Sequence, residues 1–362
     1  MRIFEEQHMT PDIIVIIVTK NRASAIEKYA LPSLARSDFR DFACVVWDAS
    51  DDELTKGVVE KGSWNFEALW FRAQRMGSSS QRNDAVLYAL DRWPLARFMV
   101  FMDDDAELSP DALGGVMRTF TERGAAIVNI PQKPLCPPSL RLRLINGLKR
   151  LFGMNRHGVT PFLYNYGAWN ETPGDRAEWA SGCGMGVDAK VFKDARAFLP
   201  EEFQRFGGYA LGEDLAFSFF IHKKMGGVTI NALNGYVLHH AAAGARLNVE
   251  NMAAAKWYNF HLLWDAIYGN TKGFKRLCLA LSFKLFMYAS VLKLLLRARS
   301  LDIASALRGV RKANDEVARY RARGDNGELF GHKVWNCDLP AIDNPVFVKD
   351  FRIYSRDELH ER

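Results

Sequence analysis

Six consecutive β-branched residues, Ile13-Ile14-Val15-Ile16-Ile17-Val18, constrain this chain more than any other feature. A run so short, with no polar alternation, is a strand covered on both faces, the condition of a parallel sheet between helix layers. Thr19-Lys20-Asn21-Arg22 then leads into a helical stretch through Leu34, a second strand runs Phe42 to Trp47, and a helix from about Ser80 to Arg92 follows Gly77. Phe98 to Met102 is another buried strand, ending in Asp103-Asp104-Asp105. Alternating strands and helices build an open α/β sheet by right-handed crossovers. Such sheets bind ligands at the carboxyl ends of their strands, where Thr19, Asp48 and the aspartate triplet fall.

Composition narrows the class. With 362 residues, 48% apolar and 25% charged, the chain is an ordinary globular one, which excludes disorder, coiled coil or collagen repeats as its main structure. Its five cysteines are scattered without a C-x-x-C pair, the pattern of reduced thiols in a cytoplasmic-type compartment. Residues 1–10 carry Glu5 and Glu6 and no apolar h-region, so secretion is not expected. The net charge of +6 is local: Thr271 to Lys312 holds ten Lys and Arg against Asp302 alone, which leaves the remainder slightly acidic. That distribution argues against a nucleic-acid partner.

Three aspartates together raise one another's pKa, and a hard divalent cation is the simplest way to neutralise them; the alternative is a solvated turn. A histidine ending a later strand, His239 or His240, either completes a mixed oxygen and nitrogen shell suited to Mn²⁺ or Mg²⁺ or is structural. Glu213 and Asp214 stand in the first turn of a helix, either as a general base or as plain capping groups. Arg82 and Asn83, near the start of their helix, suit either a diphosphate contact or a solvated surface. Asp48, at a strand end, suits a base or ribose contact or a turn.

Taken in order, Val18-Thr19-Lys20-Asn21-Arg22, Asp48-Ala49-Ser50, Gly77 with Arg82-Asn83, Phe101 to Asp105, Trp179 with Ser181-Gly182, Gly212-Glu213-Asp214 and His239-His240 resemble family 2 glycosyltransferases of GT-A fold. The likeness runs from Pro11 to Ala245 and is greatest to bacterial rhamnosyltransferase-like and galactofuranosyltransferase-like enzymes. It implies a Rossmann-like, mostly parallel sheet flanked by helices, and a divalent metal held by Asp103, Asp105 and His240 or His239, with His240 slightly preferred. Asp104 would lie near the ribose or sugar; Thr19, Asn21, Arg22, Asp48, Ser50, Arg82 and Asn83 would frame the donor nucleotide. Asp214 would be the base and Glu213 an acceptor or sugar contact, with Trp179, Ser181 and Gly182 on the acceptor side. The family often continues its Glu-Asp pair with a further acid, and here that position is Ala216. The implied reaction is inverting transfer from a nucleoside-diphosphate sugar, UDP or dTDP favoured, to a glycan or lipid-linked hydroxyl in bacterial surface polysaccharide synthesis.

Two rivals remain: a sugar nucleotidyltransferase, which calls for a glycine-rich loop after the first strand that is absent here, and a non-catalytic membrane scaffold, which has no use for both acidic clusters.

Residues 1–245 therefore read as the catalytic domain, with an irregular insertion at 131–174 that holds a basic and apolar piece, Leu140 to Phe152. Residues 246–324 read as a helical region and 325–362 as a polar tail. Leu277 to Leu296 is a mostly apolar stretch of spanning length, but Lys275, Ser282, Ser290, Lys293 and Arg297 share an arc of about 80°, with Lys284 opposite. We read it as an amphipathic helix with Lys275, Arg276, Lys293 and Arg297 toward an anionic membrane surface, peripheral at the cytoplasmic face; packing on the catalytic domain and homo-oligomerisation are the alternatives.

Overall fold

The computed structural model describes residues 10–136, 157–167, 172–208, 210–240, 248–297, 302–324 and 329–331. Its centre is an eight-stranded sheet. β1 (Ile13–Thr19) pairs in parallel with β2 (Phe42–Asp48) on one side and β4 (Phe98–Asp103) on the other, and β3 (Glu67–Arg72) extends β2. β11 (Gly184–Asp188) joins β4 antiparallel, followed by β6 (Ile127–Asn129), β12 (Thr229–Asn231) and β10 (Arg176–Ala177). A smaller sheet sets β13 (Val237–His239) between β5 (Ala106–Leu108) and β7 (Gln132–Lys133).

The β1 run behaves as its composition dictates. Ile13, Val15 and Ile17 enter one core with Ile26, Leu31, Leu34 and α3 (Ala112–Arg123), while Ile14 and Ile16 enter the other with α2 (Ser78–Arg92) and α4 (Glu213–Lys224). All five are fully buried, so each face of the strand is covered. α1 (Leu54–Lys61) crosses from β2 to β3. The first helical segment, 23–35, passes through a π-helical turn at Ile26–Ala30.

The C-terminal helices α5 (Val249–Tyr268), α6 (Gly273–Arg297) and α7 (Ile303–Ala322) share the α2 and α4 core, so the helical region does not have a separate interior. α5 and α7 pack closely, with Gly309 against the Glu250 carbonyl, whereas α6 stands off and leaves a cavity of about 1020 Å³ lined by Trp257, His261, Trp264, Phe283 and Lys284. Among the described residues no helix is long and apolar enough to cross a membrane.

Two expectations need correction. The 131–174 insertion is not wholly irregular: Gln132–Lys133 extends the small sheet, and Gly158–Val159 (β8) pairs with Asn165–Tyr166 (β9). Leu140 to Phe152 lies outside the described residues. Nor does the chain leave the fold at 325: Leu329 and Phe330 are buried, Phe330 stacks on Phe220, and its carbonyl accepts from Phe198 N–H.

Candidate active site

Strand ends gather the site. β1 delivers Thr19, β2 Asp48, and β4 Asp103, with Asp104 and Asp105 in the turn to β5. Gln81, which the sequence analysis did not single out, ties the first two ends by donating to the carbonyls of Thr19 (3.1 Å) and Trp47 (3.0 Å). Its neighbours Arg82 and Asn83 mark the place in sequence, but nothing there shows that the amide reaches two strands.

The aspartates are neutralised from several directions. His239 Nε2 lies 3.0 Å from Asp105 and 3.8 Å from Asp103, Arg22 lies 3.1 Å from Asp104 and 3.5 Å from Asp105, and Thr19 Oγ1 donates to Asp104 at 2.7 Å. Burial pushes Asp104 up to about 6, against the hydrogen bond from Thr19 and the charge of Arg22. The hydrogen bond with Asp105 raises His239 above its ordinary value, against burial. Asp103, Asp105 and His239 each present one ligand atom, all within 4.8 Å of one another, and this mixed oxygen and nitrogen set fits a divalent cation.

The slight preference for His240 is reversed. Successive residues of a strand point to opposite sides, so His239 meets the aspartates while His240 turns away, stacks on Tyr29 of the π-helical turn (centroids 3.8 Å apart) and contacts Glu107 at 3.0 Å. Tyr29 was missed because nothing local marks it.

Arg82 is the hinge of the constellation. Its side chain is only 4% exposed and reaches Asp103 at 2.8 Å and Glu213 at 2.7 Å, joining the aspartate turn to the start of α4. Asn83, one helical step away, does not face the crevice: its amide is spent on both backbone groups of Leu199 and on Glu201, so the expected diphosphate contact is withdrawn. We expect Arg82→Met, measured by urea unfolding of EDTA-treated protein, to cost about 2–3 kcal/mol, because it leaves the partly buried carboxylates of Asp103 and Glu213 without their charged hydrogen-bond partner. A loss under about 1 kcal/mol would show that they do not depend on Arg82.

Gly212 caps α4 at φ +81°, a left-handed conformation that favours glycine, and so aims Glu213 and Asp214 inward. Gly212→Ala should cost about 1–2 kcal/mol in thermal unfolding; an unchanged midpoint would mean that the turn relaxes freely. Asp214 accepts from the backbone N–H of Gly182 (2.8 Å) and Leu215 (2.7 Å), and Glu213 also accepts from Ser78 at 3.4 Å. Burial raises Asp214, opposed by those two backbone donors, and pushes Glu213 up to about 7, opposed by Arg82.

On the other flank Asp48 is wholly buried. It accepts from the backbone N–H and hydroxyl of Ser50 and from Trp70 Nε1 (3.0 Å), with Arg72 at 3.8 Å. Asn21, at φ +56°, donates its N–H to Ser50 Oγ and exchanges two bonds with Asp51, locking the β1 and β2 loops together. Asp48 and Ser50 thus brace the loops that follow β1 and β2. Trp70 and Arg72 were not foreseen, since their role depends on β3 pairing beside β2.

Of the residues expected on the acceptor side, Trp179 stacks one face on His157 (4.5 Å) and donates its indole N–H to the Tyr166 carbonyl. Ser181 N–H donates to Asn129, and Gly182 sits so close to Arg82 and Asp214 that an added Cβ would lie 3.3 Å from both.

Residues 14–173 match the family model "Glycosyl transferase family 2". A 115-residue stretch is 30% identical to the GalNAc(5)-diNAcBac-PP-undecaprenol beta-1,3-glucosyltransferase of Campylobacter jejuni, covering 31% of this chain and 35% of that enzyme. Among solved structures the chain is similar to S. aureus TarS (17% identity, 75% of this chain and 42% of that one, TM-score 0.48). It is also similar to the mannosyltransferase PcManGT from Pyrobaculum calidifontis in complex with GDP-Man and Mn²⁺ (15%, 89% and 82%, TM-score 0.48). The family model runs through the strands that carry Thr19, Asp48 and Asp103, so it is this part of the chain, residues 14–173, that is similar to glycosyl transferase family 2.

Proposed function

We propose that this protein is an inverting, divalent-metal-dependent glycosyltransferase. It moves a sugar from a UDP- or dTDP-linked donor to a hydroxyl of a glycan or lipid-linked acceptor during bacterial surface polysaccharide synthesis. The observation that carries this reading is the bridge made by Arg82, which joins a cation-competent cluster, Asp103, Asp105 and His239, to the half-buried pair Glu213 and Asp214. The Campylobacter relative, whose name specifies an undecaprenol-linked acceptor, supports the lipid-linked alternative.

A divalent cation held by Asp103, Asp105 and His239 would supply Lewis-acid stabilisation of the departing diphosphate. The chain's own residues do the rest. Arg22 adds positive charge beside the aspartate turn, and the Asn21, Asp48 and Ser50 lock keeps the nucleotide-side wall rigid. Asp214 takes the proton of the acceptor hydroxyl as its oxygen attacks the anomeric carbon opposite the leaving group, which inverts the configuration. The two N–H groups on Asp214 favour the ionised form that a base needs. Glu213, held by Arg82, orients the acceptor or sugar, and Trp179, partly exposed beside His157, contacts the acceptor.

The test is a calorimetric panel of nucleoside diphosphates with Mn²⁺, with Mg²⁺ and with EDTA, followed by NMR of the product's anomeric configuration. Metal-dependent binding of one nucleotide and an inverted product are expected; folded protein that binds none of the panel would overturn the reading.

A further inference from the structure

α6 has two apolar sides, and only one of them is used. Phe283, Met287, Val291 and Leu295 are buried toward α5 and α7. On the far side Phe274, Leu277, Leu281, Leu285 and Leu292 are between 55% and 80% exposed, while Tyr288 leans over the cavity with its ring 5.3 Å from that of Trp257. Their spacing of three, four and seven residues places all five within an arc of about 80° along the helix. A row of five large apolar side chains along one helix is far from the scattered exposure that any soluble protein tolerates.

The borders of the row identify its occupant. Lys275 and Lys293, both exposed, lie along one edge, and Lys284 lies along the other, at the mouth of the cavity. No acidic residue occurs anywhere in α6. A second copy docked face to face would oppose one lysine border with another, whereas a surface of anionic headgroups over an apolar interior matches both parts of the pattern. We infer that α6 is a membrane-docking helix, lying parallel to an anionic bilayer with Phe274, Leu277, Leu281, Leu285 and Leu292 below the headgroups and the three lysines among them.

This surface differs from the basic stripe expected from sequence. Ser290, counted there as polar face, is buried; Arg276 turns toward the cavity; Lys284 forms the second border rather than an outlier. The side chain of Arg297 lies outside the described residues.

The inference does not rest on the transferase reading, because binding is measured without donor or acceptor. The experiment is co-sedimentation of the full chain with vesicles of 70% phosphatidylcholine and 30% phosphatidylglycerol, and with vesicles of phosphatidylcholine alone, across a salt series. Sedimentation velocity gives the oligomeric state, and circular dichroism checks the fold of each variant. We expect binding to anionic vesicles that falls at least tenfold in Leu281→Glu/Leu285→Glu, falls about threefold to tenfold in Lys275→Glu/Lys293→Glu, and weakens with salt. Since all four side chains are exposed, both variants should keep the wild-type fold. Equal binding by wild type and Leu281→Glu/Leu285→Glu would overturn the inference, as would no vesicle binding at all. A dimer that the leucine variant dissociates, without vesicle binding by the monomer, would assign the row to a second copy instead.

Discussion

Asp105→Ala is expected to abolish metal-dependent nucleotide binding and to lower kcat/KM by about a thousandfold. Asp105 is only 4% exposed and faces His239 on one oxygen and Arg22 on the other, so water cannot substitute freely for its carboxylate. Lewis-acid stabilisation of a departing oxygen contributes several kcal/mol, and each 1.36 kcal/mol is tenfold in rate. EDTA should reproduce the loss in the wild type, and added Mn²⁺ should restore it there but not in the variant. His239→Ala should behave in the same way and His240→Ala should not, because His240 is committed to Tyr29 and Glu107. If Asp105→Ala kept metal-dependent affinity within about threefold of wild type, the cation would have to be held elsewhere.

Asp214→Asn is expected to separate chemistry from binding. The substitution keeps a side-chain acceptor for the N–H of Gly182 but removes the negative charge, so nucleotide affinity should stay within about twofold while kcat falls by roughly a hundredfold to ten-thousandfold, the range of general-base effects. Activity should also depend on pH in a defined direction. A carboxylate that works ionised loses function as pH falls through its pKa, and burial moves both members of this pair upward, Glu213 to about 7. The rate should therefore rise with pH through the neutral range rather than near pH 4. Glu213→Gln should remove the part of that limb that belongs to Glu213. A wild-type profile flat from pH 5 to 8 would exclude Glu213 from any step that needs its charge.

What could be read in advance follows from which interactions are local. The strands β1 and β4 are continuous apolar runs that end in polar groups, and those ends lie at the crevice because a parallel sheet puts them there. The choice between His239 and His240 was not readable, since it depends on strand parity, which is set by the pairing of β13 with β5 and not by either residue. Arg82 and Asn83 are adjacent in sequence, yet a helix turns about 100° per residue. One therefore reaches the aspartates and the other the Leu199 backbone. Asp48 was expected to touch the nucleotide; its partners Trp70 and Arg72 sit on β3, more than twenty residues on. In α6 a count of polar positions finds an amphipathic helix but does not distinguish an apolar side that meets protein from one that meets solvent.

The adjacency of the two histidines makes the site depend on a count. β13 is held between β5 and β7, pairing Val237 with Leu108 and with Gln132, so its alignment is fixed from both sides. A one-residue deletion in the turn at Leu233 to Gly235 would shift the strand by one place and send His239 toward Tyr29 and His240 toward the aspartates, or leave neither in reach. Composition, charge and every motif would survive such a change, and the crevice would still be disarmed. For this chain the length of the turn before β13 is as much a part of the active site as the residues that line it.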